Sequence, residues 1–481
     1  MKVLIVSPPS KLAKNVVRDF LYGCWCKGKR IGGTKMPPTS LLYVATTIKS
    51  AGYEVYLYDA SAEPKLDDKI KEEVKTSQVV VMMVSTSTFH EDTAYLEELK
   101  KINKNIKTVI FGSHPTFMPS FSLQKKSVDF IIRKEPEEIL IKLLKAIDED
   151  RENWKDIPGT GYRINDEIVL NEPHKYIENL DNLPIPDRSF LPDIDYFNPI
   201  VKRMPYTTVV TSRGCPGKCI FCTVPEFYGY KVRARSSGSV IEELEMLSKM
   251  GYKEIFFRDE TFTFYKKRNE EICHEMIKRK IDLTWICNAR VGTVDKATMS
   301  LMKKAGCHMI KFGVESGVQE ILDNIKKGIK VEDTRKVFKE AREIGLDTHA
   351  HIMLGCYGET LETIKETIKF AKEIRPSTVS FAVFTPYPGT ELFESLLSKH
   401  PDITDGSECD FKKIHTSGFF NESFTSLKKE ELDGAIKKAY RSFYFRPGYI
   451  LDFFLRINSL DELKRVIIAG SNIFDFSLRG E

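Results

Sequence analysis

The chain has 481 residues, 42% hydrophobic and 29% charged, with a net charge of +5; that length calls for two or three domains with buried cores, and the composition is that of a globular protein. Lys and Arg are interleaved with Asp and Glu, which makes no case for a nucleic-acid partner, and no run reaches the roughly 18 apolar residues of a membrane span. Ten cysteines are too few for a disulfide scaffold, and the short apolar run at the amino terminus meets Pro8-Pro9 and reads as a strand, not a secretory leader; the expected location is the cytoplasm.

Residues 1–150 alternate apolar, β-rich runs with amphipathic stretches. The expected strands are Val3 to Ser7, Glu54 to Tyr58, Val79 to Ser85, Thr108 to Gly112 and Asp129 to Arg133; helical spacing covers Ser40 to Ser50, Asp67 to Lys75, Asp92 to Asn103 and Glu137 to Ile147. This is the α/β pattern of a flavodoxin-like, Rossmann-type parallel sheet, whose ligands bind beyond the carboxyl ends of the strands. Two of those ends are rich in small polar residues: Ser85-Thr86-Ser87-Thr88 and Gly112-Ser113-His114-Pro115-Thr116. They suit turns and helix caps, and equally a ligand cradle. His90 reads as a surface or capping residue, and Cys24-Trp25-Cys26 as an ordinary loop, able to cover a substrate.

Residues 151–200 form the connection. Tyr162 to Val169 reads as a hairpin turning at Asn165-Asp166, and Leu183-Pro184-Ile185-Pro186-Asp187-Arg188 as a stiff extended linker.

Residues 201–400 resume the alternation, with strands at Thr207 to Thr211, Glu254 to Phe257, Asp282 to Cys287, Met309 to Val314, Thr348 to Leu354 and Thr378 to Phe384. Six such units make a partial (β/α)6 barrel, with its chemistry at the carboxyl ends of the strands. The first strand leads through Arg213-Gly214 into Cys215-Pro216-Gly217-Lys218-Cys219-Ile220-Phe221-Cys222. Three thiols on so short a loop can bind three irons of a [4Fe-4S] cluster and leave the fourth open; a zinc site would want a fourth Cys or His nearby, and none lies between Cys222 and Cys273. His349 and His351 share one face of the fifth strand and read as a polar barrel interior, with a metal or proton-transfer role as the alternative. Cys273, Cys287, Cys307 and Cys409 read as isolated thiols.

Residues 401–481 form a helical tail, with pieces at Leu427 to Phe445, Tyr449 to Leu460 and Glu462 to Ile468. Its aromatic density suits either a cap packed on the barrel or an apolar mouth for a lipid-like or tetrapyrrole substrate.

The C-x3-C-x2-C spacing, with Phe221 just before the last cysteine, resembles the signature of the radical S-adenosylmethionine (SAM) enzymes. The polar ends at Ser85–Thr88 and Gly112–Thr116, Pro37-Pro38, the stretch from Asp129 to Glu138 and the Leu-Pro-x-Pro-Asp linker resemble the subclass that carries a cobalamin-binding domain before the barrel. The resemblance implies three cofactors: a [4Fe-4S] cluster on Cys215, Cys219 and Cys222, SAM on the open iron, and cobalamin on the first domain. It implies that Ser85, Thr86, Ser87, Gly112, Ser113, His114, Pro115 and Thr116 line the cobalamin site. For SAM it implies Asp259 or Glu260 at the amino group, although the family's diglycine is missing there, Arg290 at the carboxylate, Glu315 with Ser316 at the ribose, and the Gly355 turn, with Cys356 beside it, at the adenine. Thr385 to Thr390 then forms a wall of the substrate cavity. Residues 1–150 contain no Asp-x-His-x-x-Gly, so cobalamin is expected without a histidine ligand from that motif. The implied activity is radical methylation of an unactivated carbon in a small-molecule, lipid or peptide substrate, with an external electron donor such as flavodoxin or ferredoxin. Oxidative cyclisation or ring rearrangement, and a non-catalytic B12 sensor, are the alternatives.

Overall fold

The computed structural model describes residues 1–11, 13–14, 18, 28–29, 34–149, 152–400, 422–455, 457 and 459–479. Cys24, Cys26 and Cys409 lie outside the described residues.

The first sheet is built on strands β1 (Lys2–Ser7), β4 (Glu54–Asp59), β5 (Val79–Met83), β6 (Lys107–Phe111) and β7 (Phe130–Ile132). Among the described residues, the pieces Ala13–Lys14 (β2) and Gly28–Lys29 (β3) pair only with each other. The order β4-β1-β5-β6-β7, all parallel, is the 2-1-3-4-5 order of flavodoxin-like folds. Its central strands read Val-Leu-Ile-Val and Val-Val-Val-Met-Met because helices bury them on both faces. A hairpin, β8 (Thr160–Ile164) and β9 (Glu167–Leu170), adds two antiparallel strands at one edge. Asn165 and Asp166, at φ +48° and +66°, make its two-residue turn. The sheet therefore runs past residue 150 into the expected connection, since β8 takes up the free edge of β7.

The second sheet holds β10 (Tyr206–Val209), β13 (Glu254–Phe257), β14 (Thr284–Ala289), β15 (Cys307–Glu315), β16 (Asp347–Leu354) and β17 (Thr378–Val383), parallel and in chain order. Between the first two, β11 (Ser212–Arg213) and β12 (Arg233–Ala234) form a short antiparallel ribbon. The sheet curves into an open, six-stranded partial barrel, and β17 is its edge.

That edge is closed by side chains. Tyr440 and Tyr444, on the tail helix Lys429–Tyr444, each accept a backbone N–H of β17 and donate to a carbonyl of the same residue. Tyr444 serves Val379 at 2.9 and 2.6 Å, and Tyr440 serves Phe381 at 3.2 Å both ways. Tyr449 donates to Ser377 O at 2.7 Å. At Val379 and Phe381 the groups that would otherwise template a neighbouring strand are satisfied. Two further helices follow, Pro447–Phe454 and Leu460–Arg479. Pro447 opens the first of them, as proline does at a first helical turn, so the piece expected from Tyr449 begins earlier and ends by Phe454. No helix among the described residues is long and apolar enough to cross a membrane.

The two sheets meet through buried charge. Glu135 accepts from Arg213 at 2.8 Å and from Arg233 at 2.8 Å, and Glu137 accepts from Arg213 at 2.5 Å; all four side chains are at most 7% exposed. Arg213 also lies over the Tyr43 and Tyr228 rings. The chain thus ties its first domain to the residue two before Cys215.

Candidate active site

The cluster loop is anchored from several directions. Asp259, buried after β13, accepts from Thr211 N at 2.6 Å and from the hydroxyls of Thr211 and Ser212 at 2.5 and 2.6 Å. Gly214 follows at φ +97°, where an added Cβ would lie 2.4 Å from Lys231 O, so only glycine fits. Cys215 N then donates to Gly229 O, Ile220 N to Ile325 O, and Leu392 N to Ile220 O. A Cβ on Gly217 would stand 3.3 Å from Cys215 Sγ and 3.8 Å from Cys219 Sγ, so these sulfurs flank the glycine no more than about 7 Å apart.

Cys215, Cys219 and Cys222 are free thiols, half-buried on this one loop. Burial pushes the Cys222 thiol up to about 12 and raises Cys215 as well. Bare, these two keep their protons, which a metal must displace. Among the described residues no three His, Cys, Asp or Glu side chains converge on a single ion. A cube that meets each thiol through a different iron does not ask them to, and the thiol set fits that group. Arg290 adds a charged donor 3.7 Å from Cys219 Sγ and also donates to Lys327 O. Phe221 packs edge-on to Phe384 at 5.9 Å.

Asp259 and Glu260 part ways. The carboxylate of Asp259 is consumed by the turn before the cluster loop. Glu260 lines the cavity beside Cys215, and its Oε2 is closed from solvent without a hydrogen bond. Burial, with Asp259 adding to it, pushes its carboxyl up to about 8. At the end of β15, Glu315 sits at φ +64° where the register with β16 shifts, and it accepts from Lys327 Nζ at 2.5 Å in a pair 9% exposed on each side. Burial opposes the charge on Lys327, but Glu315 outweighs it and holds the lysine above its ordinary value. Gly313 leaves room for this pair, since a Cβ there would come within 2.7 Å of both groups. Lys327 carries no sequence signal; only the fold brings it to Glu315.

Ser316 turns away from the cavity and shares a 3.0 Å hydrogen bond with Thr367. Gly355, at φ +83°, donates to Glu359 Oε2 at 2.6 Å, and Cys356 N donates to the same oxygen at 3.0 Å. Burial raises the Glu359 carboxyl to about 7 against those two donors. The glycine turn is held from beneath by its own glutamate.

One cavity of about 1180 Å³ joins the cluster loop to Glu260, Arg290, Glu315 and Lys327, while Ser316, Gly355 and Cys356 do not line it. Cys215, Cys219, Cys222, Phe221, Glu260, Arg290 and Glu315 form one end; inward residues of β15, β16 and β17 form its length; Thr34 and Met36 of the first domain and the tail helices complete the wall. His349 and His351 both face into it, their rings 4.4 Å apart. Ser380 bonds both imidazoles, at 3.2 and 2.9 Å, and Thr378 bonds His349 at 2.7 Å. Burial first, then neighbouring positive charge that includes Lys311, holds both far below the ordinary 6.5, so they are neutral.

In the first domain Ser85, Thr86 and Ser87 are buried beyond β5, and Ser85 shares a hydrogen bond with Thr88 at 3.0 Å. Gly112, at φ +118°, passes so near β5 that a Cβ would lie 2.5 Å from Val84 O. It opens the short helix Ser113–Phe117, which contains Ser113, His114, Pro115 and Thr116. Thr116 Oγ1 donates to Gly112 O at 2.7 Å, and His114 is buried with its ring 4.0 Å from Phe89. The end of this helix meets the barrel: a Cβ on Gly389, in the turn after β17, would stand 2.2 Å from the Phe117 ring. The carboxyl edges of the two sheets therefore face each other, which fits a large cofactor shared between them.

Comparison with known proteins accords with this arrangement. The B12 binding domain matches residues 32–144, and the radical SAM superfamily residues 209–371. An uncharacterised methyltransferase of Pyrococcus horikoshii is 33% identical over 457 residues, 94% of this chain and 94% of its own. The chain belongs to the cobalamin-dependent radical SAM enzymes. Its cofactors are a [4Fe-4S] cluster, SAM and cobalamin. This radical SAM enzyme is also 30% identical to the anaerobic magnesium-protoporphyrin IX monomethyl ester cyclase of Rubrivivax gelatinosus, over 88% of this chain and 76% of the cyclase. Its fold is that of the radical SAM methyltransferase TsrM from Kitasatospora setae, with a TM-score of 0.65 at 18% identity over 82% of this chain and 75% of the other.

Proposed function

We propose that this radical SAM enzyme transfers a methyl group to an unactivated carbon of an organic substrate held in the barrel cavity. The observation that carries the reading is the single cavity itself. It has Cys215, Cys219 and Cys222 at one end, and the turn at Gly389, beyond the carboxyl end of β17, meets Phe117 beside Thr116 of the first domain, as a carbon exposed to two cofactors in turn requires. When bound, the cluster with SAM supplies a carbon radical, and cobalamin supplies the methyl group. In this reading residues 1–150 carry cobalamin along Ser85–Ser87 and Gly112–Thr116, and 201–400 carry the cluster and SAM.

The chain's own residues bind and orient. Glu260, whose Oε2 faces the cavity without a partner, takes the amino group of SAM; Asp259 fixes the cluster loop instead. Arg290, beside Cys219, takes the carboxylate, for which a guanidinium is the matched partner. Glu315, steadied by Lys327, takes the ribose hydroxyls, and Gly355, propped by Glu359, brings backbone to the adenine. Electrons come from an external donor of the flavodoxin or ferredoxin type.

The test is an anaerobic assay of the reconstituted enzyme with SAM, cobalamin and a reductant, in extracts of cells lacking the protein. A substrate that gains one CH2 supports the reading. The similarity to the cyclase of Rubrivivax gelatinosus favours a second reading, oxidative cyclisation; hydrogen loss or oxygen gain in the product would establish it and end the first.

A further inference from the structure

The chemistry of the cavity wall narrows the methyl acceptor. β15 turns Lys311 inward beside His349 and His351 of β16; Lys311 is 7% exposed, and its Nζ lies 4.8 Å from the Phe256 ring centre. This stretch offers the cation of Lys311 and two imidazoles already anchored on Ser380, while Asp347 at the start of β16 is paired with Lys202 at 2.9 Å. The tail helices add Ile436, Tyr440, Phe453 and Phe476 to the wall, with the charged Lys429, Asp433, Lys437 and Glu462 among them. Three apolar lining residues of the same helices also reach solvent, Ile450 at 39%, Phe454 at 50% and Ile467 at 56% exposed. An apolar path thus runs from the barrel interior to the surface. The cavity is also long, for Asp347 and Met353, six residues apart on β16, both line it, a span of about 20 Å at the rise of a strand.

We propose that the acceptor is an elongated amphiphile, with an anionic oxygen group seated on Lys311 beside the two histidines and a hydrocarbon body lying against the tail helices. This rests on the reading of the cavity as the acceptor site. A lysine recognises carboxylate or phosphate as a point charge, so either head group satisfies it. Lys311 and Gly313 share the inward face of β15, about 7 Å apart, and Gly313 abuts Glu315. The carbon attacked is therefore near the anionic group, and the far end of the chain trails away from the cofactors.

Equilibrium dialysis tests this on the enzyme loaded with cluster and cobalamin, without SAM or reductant, using radiolabelled palmitate, hexadecyl phosphate and hexadecanol. At least one anion should bind tenfold or more tighter than the alcohol, and the tighter anion names the head group. Lys311→Met should bring the anions to within twofold of hexadecanol and leave hexadecanol itself unchanged, while Lys311→Arg keeps the preference. Equal binding of all three by the parent enzyme, binding of none, or a preference that survives Lys311→Met overturns the proposal. If Lys311→Met does not fold, as judged by circular dichroism, the parent's discrimination and Lys311→Arg decide. No turnover is involved, so failure here leaves the methylation assay standing, and failure of that assay leaves this binding result intact.

Discussion

The contact most worth breaking lies away from the cavity, at Glu135. Its carboxylate serves Arg213 and Arg233 together and accepts Ile177 N at 3.0 Å, with 3% of its side chain exposed. Removing one partner of a buried ion pair costs about 3–5 kcal/mol, because the survivor stays desolvated and unmatched. In Glu135→Ala, Arg213 keeps Glu137, and Arg233 keeps the carbonyls of Ile177 and Tyr228. The expected loss is therefore at the lower end, about 3 kcal/mol, or roughly 150-fold in the unfolding equilibrium. Iron content should fall too, since Arg213 stands two residues before Cys215. Anaerobic urea denaturation followed by circular dichroism, with iron measured per chain, reads both. Adding Arg233→Met should restore part of the stability by removing the stranded charge. The two arginines outweigh burial and hold Glu135 below its ordinary 4.5. Its contribution is thus complete above about pH 4.5 and drains away as pH falls through the lower folded value, and the stability gap between parent and variant should close in acid. A loss under about 0.5 kcal/mol with full iron content, or a gap that persists in acid, would refute the reasoning.

Three further expectations separate neighbouring roles. Glu260→Gln should weaken SAM binding at least tenfold by calorimetry while iron content stays at the parent's level, whereas Asp259→Asn should lower iron content by loosening Thr211 and Ser212; the reverse pattern would exchange their assignments. Glu315→Gln, by stranding the buried Lys327, should lower the melting temperature as well as SAM affinity, and Glu315→Gln with Lys327→Met should recover melting but not affinity. Gly389→Val drives a side chain into the Phe117 ring at a positive-φ position and should cost about 1–3 kcal/mol, with less cobalamin retained per chain after gel filtration; full retention would mean that the Phe117 contact does not hold the domains in register.

Much of the fold is legible in the sequence because its signals are local. The runs Val3–Val6 and Val79–Met83 are apolar throughout since helices cover both faces of the sheet, and Asn165-Asp166 announces its own turn. The three cysteines declare themselves by spacing alone. What sequence does not carry is the pairing of distant groups. Arg213 and Glu135 are 78 residues apart, and Lys327 meets Glu315 across a helix and a turn. Asp259 and Glu260 are adjacent carboxylates at one strand end, and only their surroundings divide them. The hairpin's attachment to β7 escapes a local reading for the same reason, and so does the use of Tyr440 and Tyr444 as an edge for β17.

The tyrosine edge also explains how the barrel can be hollow. Closed barrels of this class fill their interior with large branched side chains. Here Gly313, Ser380 and Ala382 occupy inward positions, and the polar groups left behind satisfy one another through His349, His351 and Thr378. This sheet does not close on itself, since β10 and β17 stay unpaired with each other as its two ends, and an open edge beside a cavity would expose unpaired backbone to whatever enters. Placing hydroxyls on a helix pairs that backbone without adding a strand, and it sets the ring faces of Tyr440 and Tyr444 in the cavity wall. The tail is for that reason part of the cavity wall, to which it brings Ile436, Tyr440, Tyr444 and Phe476.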